Sequence, residues 1–165
     1  FRSTHEDSYA LEMMNQVLSG GTSSRINKTI VEKEQMATYA GSFNYALEDA
    51  GLGIFLAIAS KDIALDAIQT EFDAQIEKIK SELISDEEFQ KIRTSIETGI
   101  VGMNSTVAGI AENLANNHVY FGSAEVTNDI LDKYLNVTKE DIQRVAQNYL
   151  IQDQRVILHY LPKEK

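Results

Sequence analysis

The spacing of apolar residues changes twice along this chain, and these changes constrain its fold more than any other feature. Apolar residues recur every three or four positions up to about residue 33, alternate over 38–59, and return to the wider spacing after Ser60. A step of three to four places side chains on one face of a helix, whereas alternation places them on one face of a strand. The order of helices, strands and helices therefore predicts an α+β fold.

Two helices are predicted before the strands. The first covers about residues 6–18, and the glycine pair at 20–21 favours a helix stop there. A hydroxyl residue within 22–24 can cap a second helix that continues to about residue 33. The apolar face of the first helix consists of Ala10, Leu11, Met14, Val17 and Leu18.

The alternating region predicts an antiparallel β-hairpin. One strand covers 38–47, the segment 48–51 supplies the turn, and a second strand covers 52–59. A third strand is predicted over 155–161, where apolar residues alternate again. Because three strands are few for a sheet covered by so much helix, we expect another strand immediately before Phe1. Residues 1–165 are therefore expected to be a single domain that is truncated at its N-terminus.

Helices account for most of the chain after Ser60. A long amphipathic helix is predicted over 65–83, and Ser85 begins a capping box for the next helix. That helix is expected to kink or end near Asn104, because two glycines weaken it. The remaining helices are predicted from Val107 towards Gly122, around 126–134, and from the cap at Thr138 to Tyr149.

The charge balance and the absence of cysteine exclude several classes of function. Lys and Arg total 15 against 25 Asp and Glu, which gives a formal net charge of −10. An acidic surface argues against partners such as nucleic acid and anionic membrane faces. No apolar run approaches the roughly 20 residues of a membrane-spanning helix. Without cysteine, disulfides, thiolate nucleophiles and cysteine metal sites are all excluded.

The histidines do not form a recognisable metal motif. His5-Glu6 begins like the H-E-x-x-H zinc helix, but the position of the second histidine is occupied by Tyr9. The inverted motif, H-x-x-E-H, is absent from the sequence. We interpret His118 and His159, which lie among apolar residues, as core or surface histidines rather than ligands.

Other candidate sites have simpler structural explanations. The loop 20–25 opens a helix and could cradle a phosphate, but it lacks the lysine and spacing of a P-loop, so a connection between helices is favoured. The acidic pairs 48–49 and 87–88 lie at a turn and a helix cap. We therefore predict no catalytic, cofactor-binding or metal-binding residue in this chain.

One strand face carries three aromatic residues, Tyr39, Phe43 and Tyr45. Such a face can form a binding platform, although it more often packs beneath helices. Both possibilities remain open at the level of sequence.

Two segments at the first helix and beyond it match a known family pattern. Residues 18–26 read L-S-G-G-T-S-S-R-I after a helix that begins with Asp7, Tyr9, Ala10 and Leu11, and residues 31–37 read V-E-K-E-Q-M-A before a strand. This order resembles the insulinase/pitrilysin family of zinc metallopeptidases, which includes mitochondrial processing peptidase. The resemblance covers nearly the whole chain and implies an insulinase-type α+β domain, an antiparallel sheet with helices packed on one face.

The resemblance also implies which half of the peptidase the chain represents. Family members are built from paired, similar domains, and the zinc motif H-x-x-E-H lies in the N-terminal one. This chain lacks the motif and so looks like the later, non-catalytic domain. Zinc is then implied in an upstream catalytic domain of the same chain, and the isolated chain is predicted to be inactive.

In some family members the later domain grips the substrate backbone with an arginine and a tyrosine seven residues apart. Alignment places those two roles at Val31 and Thr38, neither of which can perform them. Tyr39 lies one position out of register, which in a regular strand directs it to the opposite face. The departure suggests a subunit whose partner supplies the grip.

The function implied is that of a domain that helps to enclose a chamber for unfolded peptide substrates. Expected partners are the upstream catalytic domain, a homologous subunit or a second copy, and peptides, with acidic walls favouring basic ones. One alternative is an assembly subunit of the same fold that has lost catalysis, like the core proteins of a respiratory complex. Another is an unrelated α+β binding module. The bacterial periplasm, the cytoplasm and the mitochondrion all remain open as locations.

Overall fold

The computed structural model describes residues 4–161 and confirms the α+β architecture. A π-helical segment, Asn27–Lys33, precedes the strands, and a 3₁₀ turn, Gln152–Gln154, follows the last helix. The other elements are the helices α1 (Ser8–Ser19), α2 (Leu65–Ser81), α3 (Asp86–Met103), α4 (Val107–Phe121), α5 (Val126–Leu135) and α6 (Lys139–Tyr149), and the strands β1 (Ala37–Ala46) and β2 (Gly51–Ala59).

The two strands form the predicted antiparallel hairpin. Their pairing runs from Ala46 opposite Gly51 to Ala37 opposite Ala59. Small side chains on one face of β1 let α1 approach closely, and Ala40 is buried there. Ser42 fixes this contact twice, because its N–H donates to Ser19 Oγ at 2.8 Å and its hydroxyl donates to Asn15 Oδ1 at 2.7 Å.

The core lies between α1, the packed face of the hairpin and the helices α2 and α6. The predicted apolar face of α1 is buried, together with Met13. From the other side, α6 contributes Ile142, Val145 and Ala146, all fully buried. Phe55 of β2 contacts Phe72 of α2 edge to face, with ring centroids 5.8 Å apart. The core thus joins the first helix to the last one.

Three predicted helix boundaries are confirmed by the local geometry. Ser85 Oγ accepts a hydrogen bond from the N–H of Glu88, and the Glu88 carboxylate accepts one from the N–H of Ser85. Thr138 and Asp141 repeat this capping box at α6. The helix α4 ends at Gly122, which adopts the left-handed conformation with φ of +77°.

The second predicted helix is present and begins at Arg25, directly after Ser24, but most of it is π-helical. Its hydrogen bonds skip one residue more than in an α-helix, as in the bond from Glu34 N–H to Thr29 O at 2.9 Å. Ser24 is buried, and its carbonyl accepts a hydrogen bond from Lys28 N–H at 2.9 Å. The sequence therefore predicted the position of this helix but not its type.

The third predicted strand does not form among the described residues. The segment 155–161 has no ladder partner, although its apolar residues alternate as expected. Arg155 instead pairs with Asp73 of α2, and His159 Nε2 lies 3.9 Å from Asp66 Oδ1. Alternation supplies the pattern of a strand, but a strand also needs a neighbouring edge to accept its hydrogen bonds.

Candidate functional site

The three histidines lie in three different parts of the chain, before α1, in α4 and in the segment 155–161. His5 Nδ1 accepts a hydrogen bond from the Asp7 N–H at 3.1 Å, and His118 and His159 are exposed. Within residues 4–161, no group of three or more His, Asp or Glu side chains is arranged to hold a metal ion. The sequence prediction that this chain has no metal-binding residue stays a prediction.

The loop 20–25 connects helices and carries a structural ion pair. Arg25 donates through Nε and Nη2 to the two carboxylate oxygens of Glu88, at 2.8 and 2.9 Å. These hydrogen bonds, opposed by partial burial and assisted by Ser85, lower the pKa of Glu88 to about 2. Because Glu88 also belongs to the capping box of α3, this carboxylate holds the fold together and is unsuited to acid–base catalysis at neutral pH.

A buried carboxylate, Asp7, was not singled out for chemistry by the sequence. It accepts hydrogen bonds from Tyr149 Oη at 2.9 Å and from Arg144 Nη2 at 2.8 Å, so it links the start of α1 to α6. Burial raises the pKa of Asp7, but the bonds from Arg144 and Tyr149 outweigh it and leave the pKa below its usual value. The only sequence signal was an acidic residue directly before a helix, which predicts no partner 142 positions away.

The aromatic face of β1 is open rather than packed beneath helices. The helices cover the opposite face of the hairpin, where side chains are small. Tyr45 is 53% exposed, Phe43 42% and the facing Leu52 62%. Register pairs each aromatic with an aliphatic residue on the same face: Tyr39 with Ile58, Phe43 with Ile54, and Tyr45 with Leu52. Within residues 4–161 this face is therefore not packed beneath helices.

A β-bulge near the start of β1 changes the expected position of Tyr39. The pairing shifts between Ala37 and Tyr39, so Thr38 is the additional residue. Both Thr38 and Tyr39 are exposed, and the end of the Tyr39 ring lies over Gly41. The strict alternation that would send the two side chains to opposite faces is therefore interrupted here.

A groove of about 660 Å³ lies where α1, α3 and α5 meet, beside the end of β1. Its aromatic walls are Tyr9, Phe121 and Tyr134, and Glu12 supplies a carboxylate. Tyr9 and Tyr134 meet edge to face, with ring centroids 5.0 Å apart. No sequence motif pointed to this groove, because its rings come from three different helices.

Comparison with known proteins gives the family. A family profile described as the peptidase M16 inactive domain matches residues 2–96. The chain belongs to this family. The resemblance to insulinase-type zinc metallopeptidases, and the assignment to their non-catalytic domain, are therefore confirmed.

Relatives of this M16 inactive domain include named zinc proteases. It is 27% identical over 162 residues to the zinc protease PqqE of Helicobacter pylori, which covers 96% of this chain and 35% of that protein. An uncharacterized zinc protease of Rickettsia bellii is 27% identical over 138 residues, or 84% of this chain and 33% of that protein. The chain thus spans about a third of the length of the curated relatives it matches.

Solved structures with the same fold include whole proteases, a separate inactive domain and a respiratory complex. A protease from Helicobacter pylori matches with a TM-score of 0.85 and 26% identity, over 93% of this chain and 37% of that one. An inactive peptidase domain from Bordetella parapertussis matches with a TM-score of 0.86 and 22% identity, over 100% of this chain and 87% of that one. Complex III2 from Candida albicans matches with a TM-score of 0.73 and 12% identity, over 89% of this chain and 37% of that one. The last two matches show the fold alone.

The family pattern has a structural purpose in this M16 inactive domain. The block 18–26 ends α1 at its glycines and places Arg25 against Glu88 of α3. Val31 is partly buried in the π-helical segment, and the Thr38 hydroxyl donates to Ile58 O at 3.3 Å. Neither position carries the arginine or tyrosine that grips substrate in some family members.

Proposed function

We propose that this chain is the non-catalytic domain of a zinc-dependent metalloendopeptidase and helps to enclose a chamber for unfolded peptides. The observation that carries the proposal is the open apolar face of the hairpin, called here the platform and formed by Tyr39, Phe43, Tyr45, Leu52, Ile54, Leu56 and Ile58. An exposed apolar surface of this kind marks a site of interaction.

An unfolded peptide suits this platform better than a folded protein does. Unfolded segments present apolar side chains that a flat, partly aromatic surface can cover, whereas folded proteins bury theirs. The hairpin itself carries no basic residue, and its turn contains Glu48 and Asp49. Together with the net charge of −10, this favours basic, extended peptides.

The zinc and the chemistry are proposed to come from an upstream domain of a longer protein. Several relatives are named zinc proteases, and this chain corresponds to about a third of their length. A catalytic domain or a homologous subunit also needs a surface to pack against. The exposed apolar side chains of α4, among them Val107 and Val119, offer one.

We also propose that residues 1–165 form one domain whose sheet is completed by residues preceding Phe1. The support is the segment 155–161, whose residues from Val156 onwards are all exposed and which pairs with no strand within residues 4–161. A further strand from the longer protein would accept its hydrogen bonds and cover its side chains.

The proposal is tested on the whole protein that contains this chain. We expect stoichiometric zinc by elemental analysis and cleavage of unfolded peptides, with the same sequence spared inside a folded domain. In a panel of peptides that differ only in charge, the rate of cleavage should increase with the positive charge of the peptide. Equal cleavage across the panel would contradict the acidic-wall argument, and zinc bound tightly by residues 1–165 alone would overturn the assignment of the metal to the upstream domain.

A pair of leucine variants tests the platform. Leu52→Ser should raise the KM for an unfolded peptide about three- to tenfold, because it removes apolar contact area. Leu83→Ser, the same change at another exposed leucine far along the chain, should leave the KM unchanged. Equal effects of the two substitutions would show that the platform does not contact substrate.

The alternative is an assembly subunit that has lost catalysis, a role compatible with the fold shared with complex III2. The same zinc measurement separates the two functions. A whole protein without zinc and without peptidase activity, in which the motif upstream is degraded, would favour assembly.

A further inference from the structure

The groove between α1, α3 and α5 contains a cation–aromatic arrangement that the proposed function does not use. The ammonium of Lys133 lies 5.7 Å from the ring centroid of Tyr9 and 5.9 Å from that of Phe121. Distances below about 6 Å are those at which a ring attracts a cation. Two of the three cation–π contacts among residues 4–161 are made by this one ammonium.

The third ring and a carboxylate complete the arrangement. Tyr134 lines the groove and meets Tyr9 edge to face, so the two rings fix each other's orientation. Glu12 also lines the groove, and its carboxylate accepts a hydrogen bond from Gln16 Nε2 at 3.2 Å. Burial, and then the charges of Glu12 and Tyr9, raise the pKa of Tyr134 to about 12, so this ring stays neutral at physiological pH.

The position of Lys133 makes it a replaceable occupant. Its side chain is exposed at the outer side of the rings, and it is absent from the residues that line the groove. A lysine is long and flexible, so its ammonium can leave the rings without disturbing the backbone of α5. The groove behind it remains open to a cation that arrives from solvent.

The groove borders the hairpin at the end of β1. Asn44 and Ala46 line it, and Tyr45 between them belongs to the platform. Because neighbouring side chains of a strand point to opposite faces, the groove lies on the side of the hairpin where the helices pack and the platform lies on the other side. The groove is therefore a site separate from the platform.

We propose that this groove binds the basic side chain of an extended peptide, a lysine or arginine held between Tyr9, Phe121 and Tyr134 and facing Glu12. Lys133 contacts two of these rings from their outer side, and its positive charge opposes a second cation nearby. Charge complementarity identifies the occupant. The groove presents three rings and a carboxylate, and the chain that contains it is acidic overall, so a positively charged side chain fits it. The inference rests on the proposed function in taking a peptide as the ligand.

The experiment measures binding of short peptides to residues 1–165 by titration calorimetry. The peptides are identical except for one central residue, which is lysine, norleucine or glutamate. The lysine peptide should bind about three- to tenfold more tightly than the norleucine peptide, and the glutamate peptide should bind least. Lysine and norleucine peptides of equal affinity would overturn the inference.

Variants of the groove then distinguish a cation site from a merely apolar one. Lys133→Met should tighten binding of the lysine peptide severalfold by removing the neighbouring positive charge, whereas Glu12→Gln and Phe121→Leu should each weaken it by a similar factor. Glu112→Gln, the same loss of charge on α4 outside the lining of the groove, is the matched control and should leave affinity unchanged. Lys133→Met that weakens binding, or Glu112→Gln that acts like Glu12→Gln, would contradict the site.

Failure of this site can be told apart from failure of the proposed function. If the groove variants have no effect but the whole protein still cleaves basic unfolded peptides and responds to Leu52→Ser, only the groove is excluded. If the whole protein lacks peptidase activity while the isolated chain still prefers the lysine peptide, the groove stands as a peptide site in a protein of another function.

Discussion

The helices α1 and α4 have similar apolar content but use it in opposite ways. α1 buries Leu11, Met14 and Leu18 against the hairpin and α6. α4 buries only Asn117, while Val107 is 86% exposed and Leu114 39% exposed. Glu112 is the only fully charged residue within α4.

The inner side of α4 is held by polar side chains instead of apolar ones. Asn117 donates to Asn113 Oδ1 at 2.9 Å and to Thr127 Oγ1 at 2.8 Å, and Asn113 donates to Asn104 Oδ1 at 3.1 Å. The two helices therefore show that apolar residues at helical spacing locate a helix but do not by themselves bury it. The exposed apolar side chains of α4, such as Val107 and Val119, are the surface that the proposed partner domain would cover.

The largest expected difference between the two regions concerns leucine truncation. Leu18→Ala should lower the free energy of unfolding by about 2–5 kcal/mol, because Leu18 is fully buried. Leu114→Ala should change it by less than about 1 kcal/mol, because much of that side chain is already in water. Urea unfolding followed by circular dichroism measures both. Comparable losses would mean that α4 packs more tightly than its exposure indicates.

The asparagine network should matter more to α4 than its leucine does. Asn117→Ala removes two hydrogen bonds and leaves Asn113 and Thr127 with unpaired groups, which should cost about 1–3 kcal/mol. Asn116→Ala, at the adjacent exposed position, is the control and should be nearly neutral. If Asn117→Ala also proved neutral, water would be replacing the network and α4 would be held by something else.

The ion pair in the core region predicts a pH dependence that α4 lacks. The pKa of Glu88 falls from 4.5 to about 2 in the folded state, so its stabilisation is complete above pH 4.5 and is lost as the pH falls towards 2. A third of the Glu88 side chain is exposed, so after solvent screening this amounts to about 1–2 kcal/mol. Glu88→Gln should make the free energy of unfolding less dependent on pH between about 4.5 and 2, which is the acid limb of its pH profile. Glu112→Gln on α4 should leave that limb unchanged, and a matching change would contradict the assignment to Glu88.

The smallest expected effects come from the helix caps. Thr138→Ala removes the capping box of α6 and should cost about 1 kcal/mol of global stability, since α6 belongs to the core. Thr106 accepts from Gly109 N–H at 3.0 Å at the start of α4. Thr106→Ala should act locally. Amide hydrogen exchange in α4 should become faster, while the global free energy of unfolding should change by less than about 0.5 kcal/mol. Equal global losses would show that α4 and the core unfold together.

The elements that the sequence predicted well are those with a local physical signal. The apolar face of α1, the hairpin and both capping boxes depend on residues within a few positions of each other, and all are confirmed. The pairs Arg25 with Glu88 and Asp7 with Arg144 join residues 63 and 137 positions apart and had no such signal. The groove was missed for the same reason, since its rings converge only when α1, α4 and α5 pack.

By itself the sequence determined the α+β class, the family and the order of the elements from α1 to α6. Apolar spacing, capping residues and the block L-S-G-G-T-S-S-R-I are local properties, and they do not depend on how the elements are arranged in space. Only the tertiary structure decided that the segment 155–161 finds no strand partner among the described residues, and which face of the hairpin meets the core. Small residues on one face of the hairpin admit α1 and leave the aromatic face open, and α4 meets α5 through the asparagine network while Val107 and Val119 stay exposed. Those choices depend on close packing between distant segments, which periodicity cannot encode.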